Sequence, residues 1–569
     1  MPDIQSASCN ENLLTIAKKI SKEYISSVLL VDDHISYASQ ETPDGTIDAG
    51  TFIDDLAKEN ISVCPYLWSR EEQLANVINL IKTNDVSILD WKIQLQNRCP
   101  KEALDSDVMD DGDRGKNTQK LIDAIVRQRV PSPHLFIIYT EEPTGVQEYL
   151  SGLKWACDGS ELQEKGHVWI SPEKNIRISI FFKKSLSGTH GIDDSRVIQN
   201  SEQMISVVIS EFARLHKGIL PLTLIHSLTI LRQSASKLLT VFNENLDPAF
   251  VLHRALLPEP ADGDTLLMQT FLDAFSALFF YQNRRKFNLD DLTLAWLDEQ
   301  SAQFAKESID VDVTIELNNG EGKEKRKKKL VIGNDGRKEL ISKGYFSYFK
   351  DKILKEFVDE EHKQENAICD AAEEWINLHD IYGEIFKTVW QLFLLRDSGR
   401  MNMANEDFAI LTHHKSVFYP DNGYLPVMMP GSVIKKADQN DKYFLCIQQA
   451  CDCLRIADSR KFIFLPLDKS SCKFDIILKK PTDGQRQTLT VNHKKSYSLC
   501  TFTFKTQPEA NVIKASADPA GRFVFTDVNS QSFFWCCDLK ETFTLKFINE
   551  YAQKLTRVGI DQSEWLRRS

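Results

Sequence analysis

The sequence predicts three kinds of structure in succession: an α/β doubly wound parallel sheet at the N-terminus, a helical middle region, and a β-rich C-terminal domain with a terminal helix. The first rests on short apolar runs that alternate with helical patterns, and the second on long segments with apolar residues at helical spacing. The third rests on a change to closely spaced short strands.

Over the first part of the chain, "SVLLV", "VSILD", "HLFIIY" and "IRISIFF" are separated by segments such as "EEQLANVINLIKT" and "NTQKLIDAIVRQ". Buried runs of that length alternating with helices indicate parallel strands covered on both faces. Next, "SEQMISVVISEFARLHK" at 201–217 places Ile205, Val208, Ile209, Phe212 and Leu215 on one stripe, closed by Gly218 and Pro221. That spacing predicts an amphipathic helix. "LTLIHSLTILRQSASKLLTVF" and "TLLMQTFLDAFSALFFYQ" are apolar on more than one face, which predicts helices buried in a bundle. "VDVTIELNNGEGKEKRKKKLVIGN" reads as two strands joined by a turn at 318–322, with the basic run 323–329 at its tip. Helical patterns return from about 335 to 397, and from about 408 to 548 short strands such as "KYFLCIQQ", "KFIFLPL", "FDIILKK" and "SFFWCCDL" make a separate domain. A last helix is expected over "YAQKLTRVGIDQSEWLRR". The boundaries these shifts predict are 1–200, 201–305, 306–400 and 401–569.

Composition narrows the classes. A net charge of -12 argues against a general nucleic-acid binder, because neutralising phosphates needs a basic surface. No apolar run reaches the ~18 residues of a membrane span. The start "MPDIQSASCNENLL" lacks the basic and apolar regions of a secretory signal, so the expected compartment is the cytoplasm. Twelve cysteines, with a cluster between Cys446 and Cys537, are then expected as reduced thiols.

In an open parallel sheet, ligands bind beyond the carboxyl ends of the strands. Asp32 and Asp33 close the first apolar run, Asp90 the second, Thr140 the third, and Lys183 and Lys184 the fourth. Three carboxylates gathered there repel one another unless a cation holds them, and an all-oxygen set suits a hard ion such as Mg²⁺. The threonine hydroxyl is placed to bond a phosphoryl oxygen, and either lysine supplies positive charge. Taken singly each residue has a plainer account: the aspartate pair or Asp90 as a helix cap, Lys183 as a solvated strand end. The order along four strand ends is what points to a site.

On these residues, the segment from about 24 to 200 resembles the receiver domain of two-component response regulators, a flavodoxin-like fold. The resemblance implies that Asp33 ligates Mg²⁺ directly and Asp32 acts through water. It implies that Asp90 in "ILDWKI" is the phospho-accepting aspartate and that the backbone carbonyl of Lys92 is a third protein ligand. Thr140 in "IIYTEE" becomes the switch hydroxyl, and Lys183 in "FFKK" pairs with the acyl phosphate. In those roles Asp90 is a nucleophile, with Mg²⁺ and Lys183 stabilising charge on the transferring group. The chain departs from the family pattern in its longer spacings, in the acidic insert "NRCPKEALDSDVMDDGDRGKN", in Lys184 where proline is usual, and in Ile180 where an aromatic residue is usual.

Elsewhere the signals are weaker. Cys446, Cys451 and Cys453 lie close in sequence, with His413 and His414 upstream, but a Cys-x-Cys pair is too tight for the common zinc knuckles and buried strand cysteines are expected. The basic run 323–329 suits either an anionic surface or plain solvation. Arg557, Trp565, Arg567 and Arg568 close the chain on a helix that docks on the body or on a partner. A nucleotide-binding glycine loop, a Gly-x-Ser-x-Gly elbow and a histidine-kinase ATP site are not found, so the chain is expected to receive phosphoryl groups. The expectation is a signalling protein phosphorylated on Asp90 by a partner histidine-kinase-like ATPase, with homodimerisation open. The resemblance extends to large bacterial receiver-led proteins encoded beside such ATPases, often in settings of anti-phage defence. Two rivals stand beside it: a phosphorylation-independent docking scaffold, and a receiver-gated effector enzyme whose active site the sequence does not disclose.

Overall fold

The computed structural model describes residues 12–32, 35, 49–93, 95, 115–127, 133–152, 163–164, 166–171, 175–189, 191–257, 260–286, 288–318, 323–358, 365–380, 383–415, 425–437, 442–470, 474–479, 486–491, 499–507 and 511–555. The chain divides into two compact units, Met1–Gln303 with Ser308–Phe386, and Phe304–Glu307 with Lys387–Ser569.

The first unit is built on a seven-stranded sheet of β1 (Ser27–Asp32), β2 (Ser62–Leu67), β3 (Val86–Asp90), β4 (His134–Thr140), β5 (Gln163–Glu164), β6 (Val168–Ile170) and β7 (Ile176–Phe182), in the order β2-β1-β3-β4-β7-β6-β5. The five long strands are parallel, and β6 and β5 extend the edge in antiparallel fashion. Around it lie α1 (Leu13–Tyr24), α2 (Ala49–Lys58), α3 (Leu74–Thr83), α4 (Lys116–Arg127) and α5 (Pro143–Gly152). Successive side chains of a strand point to opposite faces, so a strand covered on both sides must be apolar at every position. That is why β3, β4 and β7 are buried at every position. Leu89, Phe136, Ile138 and Ile180 pack on one face with Val77 of α3, Leu121 of α4 and Val146 of α5. Val28, Leu30, Ile88 and Ile137 pack on the other with Ala17 of α1 and Phe52 of α2. Four of these strands are legible as apolar runs, whereas β2 is hidden by Pro65. A proline is tolerated there because β2 is an edge strand.

Helix α6 (Ser201–Leu215) forms as its periodicity predicts, with the Asn200 side chain accepting from Gln203 N at its start. Met204, Ile205, Val208 and Phe212 join the same core as α1 and α2, so this helix belongs to the sheet's own cover. Then come α7 (Ile219–Val241), α8 (Asp247–Leu256), α9 (Pro260–Lys286) and α10 (Leu289–Gln300). The root of α7 buries Leu222, Ile225 and Ile230, but between Ser234 and Leu292 no described side chain is buried. The expectation that these helices lie inside a bundle is therefore corrected. They form, and α7 and α9 pair with Phe242 and Phe271 ring to ring at 4.8 Å, but one helix pair has too little surface to cover both apolar faces.

Strands β8 (Ile309–Asn318) and β9 (Lys323–Ile332) form an antiparallel hairpin whose apolar side, with Val311, Val313 and Ile315, is buried, and α11 (Asn334–Phe357) and α12 (Glu365–Leu378) pack on it. Here too a correction is needed. The run 323–329 is not a tip but strand β9 itself, paired across to acidic β8 by Lys325 with Glu316 at 2.7 Å and Lys329 with Asp310 at 2.6 Å. Of the expected turn, 319–322 lie outside the described residues.

Helix α13 (Glu384–Leu392) straddles the boundary between the units. In the second unit, α14 (Ser398–His413) precedes an antiparallel sheet of β10 (Ser432–Lys436), β11 (Tyr443–Cys446), β12 (Ser459–Lys469), β13 (Ile476–Lys479), β14 (Arg486–Val491), β15 (Cys500–Lys505), β16 (Ser516–Ala517), β17 (Phe523–Thr526) and β18 (Ser532–Asp538). Its order is β13-β14-β12-β11-β10-β18-β17-β16, with β15 also on β12. The strand pattern expected from about 408 begins later, because α14 runs to His413. The last helix, α15 (Glu541–Leu555), starts ahead of the expected segment, and Arg557, Trp565, Arg567 and Arg568 lie outside the described residues. Among the described residues no helix is long and apolar enough to cross a membrane.

Candidate functional site

Strands β1, β3, β4 and β7 are parallel neighbours in the sheet, so their carboxyl ends share one edge. Asp32 ends β1, Asp90 ends β3, Thr140 ends β4, and Lys183 follows β7. The tip of an apolar strand is where the chain first meets water, and there a carboxylate is tolerated. Even so, Asp32, Asp90 and Lys183 keep only 8%, 7% and 9% exposure, and Thr140 none. Lys183 Nζ lies 3.1 Å from Asp90 Oδ1, and its backbone N donates to Thr140 O at 3.0 Å. Of the two candidate lysines, Lys183 is therefore the one brought to Asp90.

Burial alone would lower the Lys183 pKa, but the charge and hydrogen bond of Asp90, with Asp32 and Glu141 behind it, outweigh that effect and raise it. The lysine is thus a fixed cation facing both aspartates. The Tyr139 ring lies 5.7 Å from Nζ. Burial first, and then the charges of Asp90, Glu141 and Asp32, push its phenol well above the ordinary range, so it stays neutral.

The loops are tied down from α4 and from the segment after β4. Thr118 Oγ1 donates to Asp90 O at 2.9 Å and Trp91 O at 3.2 Å, and Asn117 Nδ2 donates to Ile93 O at 2.9 Å. Gly115 has φ +87°, and a Cβ there would lie 2.3 Å from the Trp91 ring, so only glycine lets this turn close on the indole. The Lys92 ammonium pairs with Glu142 at 2.7 Å, while Glu142 N donates to Thr140 Oγ1 at 2.8 Å. Asp33 lies outside the described residues, and among the described residues no group of three or more His, Cys, Asp or Glu side chains is gathered. Thr118, Glu142, Tyr139 and Gly115 were not singled out from the sequence. Tyr139 and Glu142 lie beside Thr140 and were within reach of the argument, but Gly115 is at the end of the insert and Thr118 just after it, and the insert's length hides their place.

Behind the site a charged cluster joins β7 to α6. Glu211 accepts from Arg177 Nε and from Ser179 Oγ, both at 2.7 Å, and pairs with Arg214 at 2.8 Å. Burial works to raise the Glu211 pKa, but Arg177, Ser179 and Arg214 together bring it below the usual value. The sequence signal was an arginine and a serine, two residues apart, inside the otherwise apolar run "IRISIFF".

The other candidates gather no metal site among the described residues, although the Cys446 and Cys453 thiols hydrogen-bond each other. Cys446 and Cys453 are buried among Phe462, Phe464 and Phe504, and Cys451 is exposed. His413 stacks on Phe543 at 3.8 Å, and His414 bonds Ile477 O at 2.9 Å.

Two carboxylates, one ammonium and one hydroxyl at adjoining strand ends form a place for a cation and a phosphoryl-type anion. No curated protein and no solved structure shows significant similarity to the chain. The family model described as "Response receiver domain" matches residues 24–185, and such domains serve response-regulator-type signalling, typically under histidine kinases. Sheet order, strand-end constellation and family match agree: the N-terminal segment of this chain, residues 24–185, is a response receiver domain.

Proposed function

We propose that this receiver domain accepts a phosphoryl group on Asp90 in a Mg²⁺-dependent reaction with a partner histidine-kinase-like ATPase, and that the change is passed to the rest of the chain through α6. The observation that carries this reading is the Lys183–Asp90 contact of 3.1 Å between two buried groups at the carboxyl edge of the sheet. The oxygen-only donors fit a hard divalent ion, and Asp32 and Asp90 both act on Lys183, so the two carboxylates face one place. Asp33, Asp90 and the Lys92 carbonyl would hold Mg²⁺, with Asp32 acting through water; when bound, the ion offsets the charge of the aspartates and the incoming group.

A carboxylate oxygen of Asp90 attacks phosphorus, a new O–P bond forms, and the donor departs with the electron pair of the broken bond. Lys183 keeps its proton through this step and bonds the phosphoryl oxygens in place of the carboxylate it now holds. Thr140 gives up the Glu142 amide and turns its hydroxyl toward the new anion. The product adds about -1.5 to -2 charge and three acceptor oxygens. Because β7 carries Lys183 at one end and Arg177 within it, movement of the lysine bears on the Glu211 cluster and so on α6.

The test is incubation with acetyl phosphate, with and without Mg²⁺, followed by intact mass. Wild type should gain one phosphoryl group only when Mg²⁺ is present, and Asp90→Asn should gain none. Equal labelling of both proteins, or labelling of neither by acetyl phosphate or a cognate kinase, rejects the reading.

A further inference from the structure

Helix α9 carries two apolar stripes one residue apart. Leu267, Phe271, Ala274 and Leu278 recur at spacings of four, three and four and are half-buried, in keeping with the pairing of α9 on α7. Met268, Leu272, Phe275 and Phe279 repeat the same spacing on the next row, and Met268 and Leu272 are 59% and 57% exposed. A four-three-four repeat is the pattern of a helix seam. A helix with two such seams is built for neighbours on two sides, and α7 supplies one of them.

Helix α7 shows the same want of cover: Leu224, Leu228 and Leu239 lie on one side and are exposed, Leu239 by 73%. With 23 and 27 residues, the two helices are about 35 and 40 Å long. Helices of this length in water owe most of their stability to tertiary packing of an apolar face.

We propose that the α7–α9 hairpin is a dimerisation arm, which pairs with the same hairpin of a second copy of this chain to close a four-helix bundle. Three observations favour a second copy. Two paired helices lack just two more for a bundle core, and a two-fold copy brings them with matching lengths. The outer stripe offers almost no charge for a charged partner to read, since Asp273 is the one ionisable side chain between Leu266 and Phe280. The exposed apolar side chains of α7, α8 and α9 together present on the order of the ~800 Å² per partner that a stable interface covers.

Sedimentation velocity on the full chain over a concentration series tests this directly. Wild type should run at twice the chain mass above a micromolar Kd, and the double variant Met268→Glu, Leu272→Glu should dimerise about 100-fold or more weakly. Both positions are exposed, so the circular-dichroism spectrum of the diluted variant should match that of wild type; Leu378→Glu, at an exposed position on α12, should leave the dimer intact. A second readout needs no variant: amides of α9 should exchange more slowly at high than at low protein concentration. A wild type that stays monomeric, a dimer that survives both charges, or exchange in α9 that ignores concentration overturns the proposal.

Discussion

Leu89 in β3 and Leu272 in α9 are the same residue in opposite circumstances. Leu89 has no exposed surface, held in the core that α3, α4 and α5 complete, whereas Leu272 keeps 57%. The receiver sheet is covered by helices that lie between its own strands or directly before and after them, so strand and cover are written in one stretch of chain. The arm has apolar faces with nothing comparable nearby to lie on them. An apolar pattern states what must leave water, and it names the cover only where the cover is local.

The receiver side of that contrast should break hardest at its buried charge. Glu211→Gln leaves the Arg177 guanidinium buried without its counter-charge, and breaking a buried pair in this way costs about 3–5 kcal/mol. Urea unfolding followed by circular dichroism should show that loss, and a change under about 1 kcal/mol would mean the cluster does not fasten α6 to β7. Truncating the two leucines compares the regions on equal terms. Leu89→Ala should lose about 2–5 kcal/mol, and Leu272→Ala in dilute protein no more than about 0.5 kcal/mol. The gap should narrow as concentration rises, because the arm is then buried against its copy. Equal losses at every concentration would erase the contrast.

The same distinction sets how much was readable beforehand. Asp90, Thr140 and Lys183 could be placed at one edge because each follows a continuous apolar run, and parallel strands bring their ends together whatever lies between. Strand β2 was lost because Pro65 breaks its run, and β10, β14 and β16 because short antiparallel strands carry few residues of pattern. The basic run 323–329 was read by charge alone, which hid its alternation against Asp310, Asp312 and Glu316 across the hairpin. The Glu211 cluster left a mark only on one side, Arg177 and Ser179 within an apolar run; its pairing with α6 joins two elements by distance in space, which a single sequence does not record. Helices α7 and α9 were correctly helical, and their burial was misplaced because the pattern leaves the neighbour unnamed.

A pH-dependent effect is expected at the point where receiver core gives way to arm. His216 is the C-cap of α6, buried, with its ring 4.6 Å from that of Phe212. Two influences on it oppose each other. The carboxyl end of a helix favours the imidazolium by about 0.3–1 kcal/mol, and burial disfavours it. Burial wins, lowering the pKa from 6.5 to about 4. Above about pH 6.5 the ring is neutral in both folded and unfolded chains and contributes no pH dependence. As pH falls below that value the unfolded chain takes up a proton that the folded one refuses, so stability declines until about pH 4, by on the order of 3 kcal/mol in all. His413 and His414 are also lowered, chiefly by burial, and add a decline of the same sign, so the informative quantity is the difference between wild type and His216→Phe. Glu211, whose pKa is depressed, loses its contribution only at lower pH, as the solution passes through its folded value. Melting curves from pH 7.5 to 4.5 should therefore converge or cross, the phenylalanine variant losing less than wild type across that window. Parallel curves would mean that His216 protonates in place, and that the end of the receiver core is as open to water as the arm that follows it.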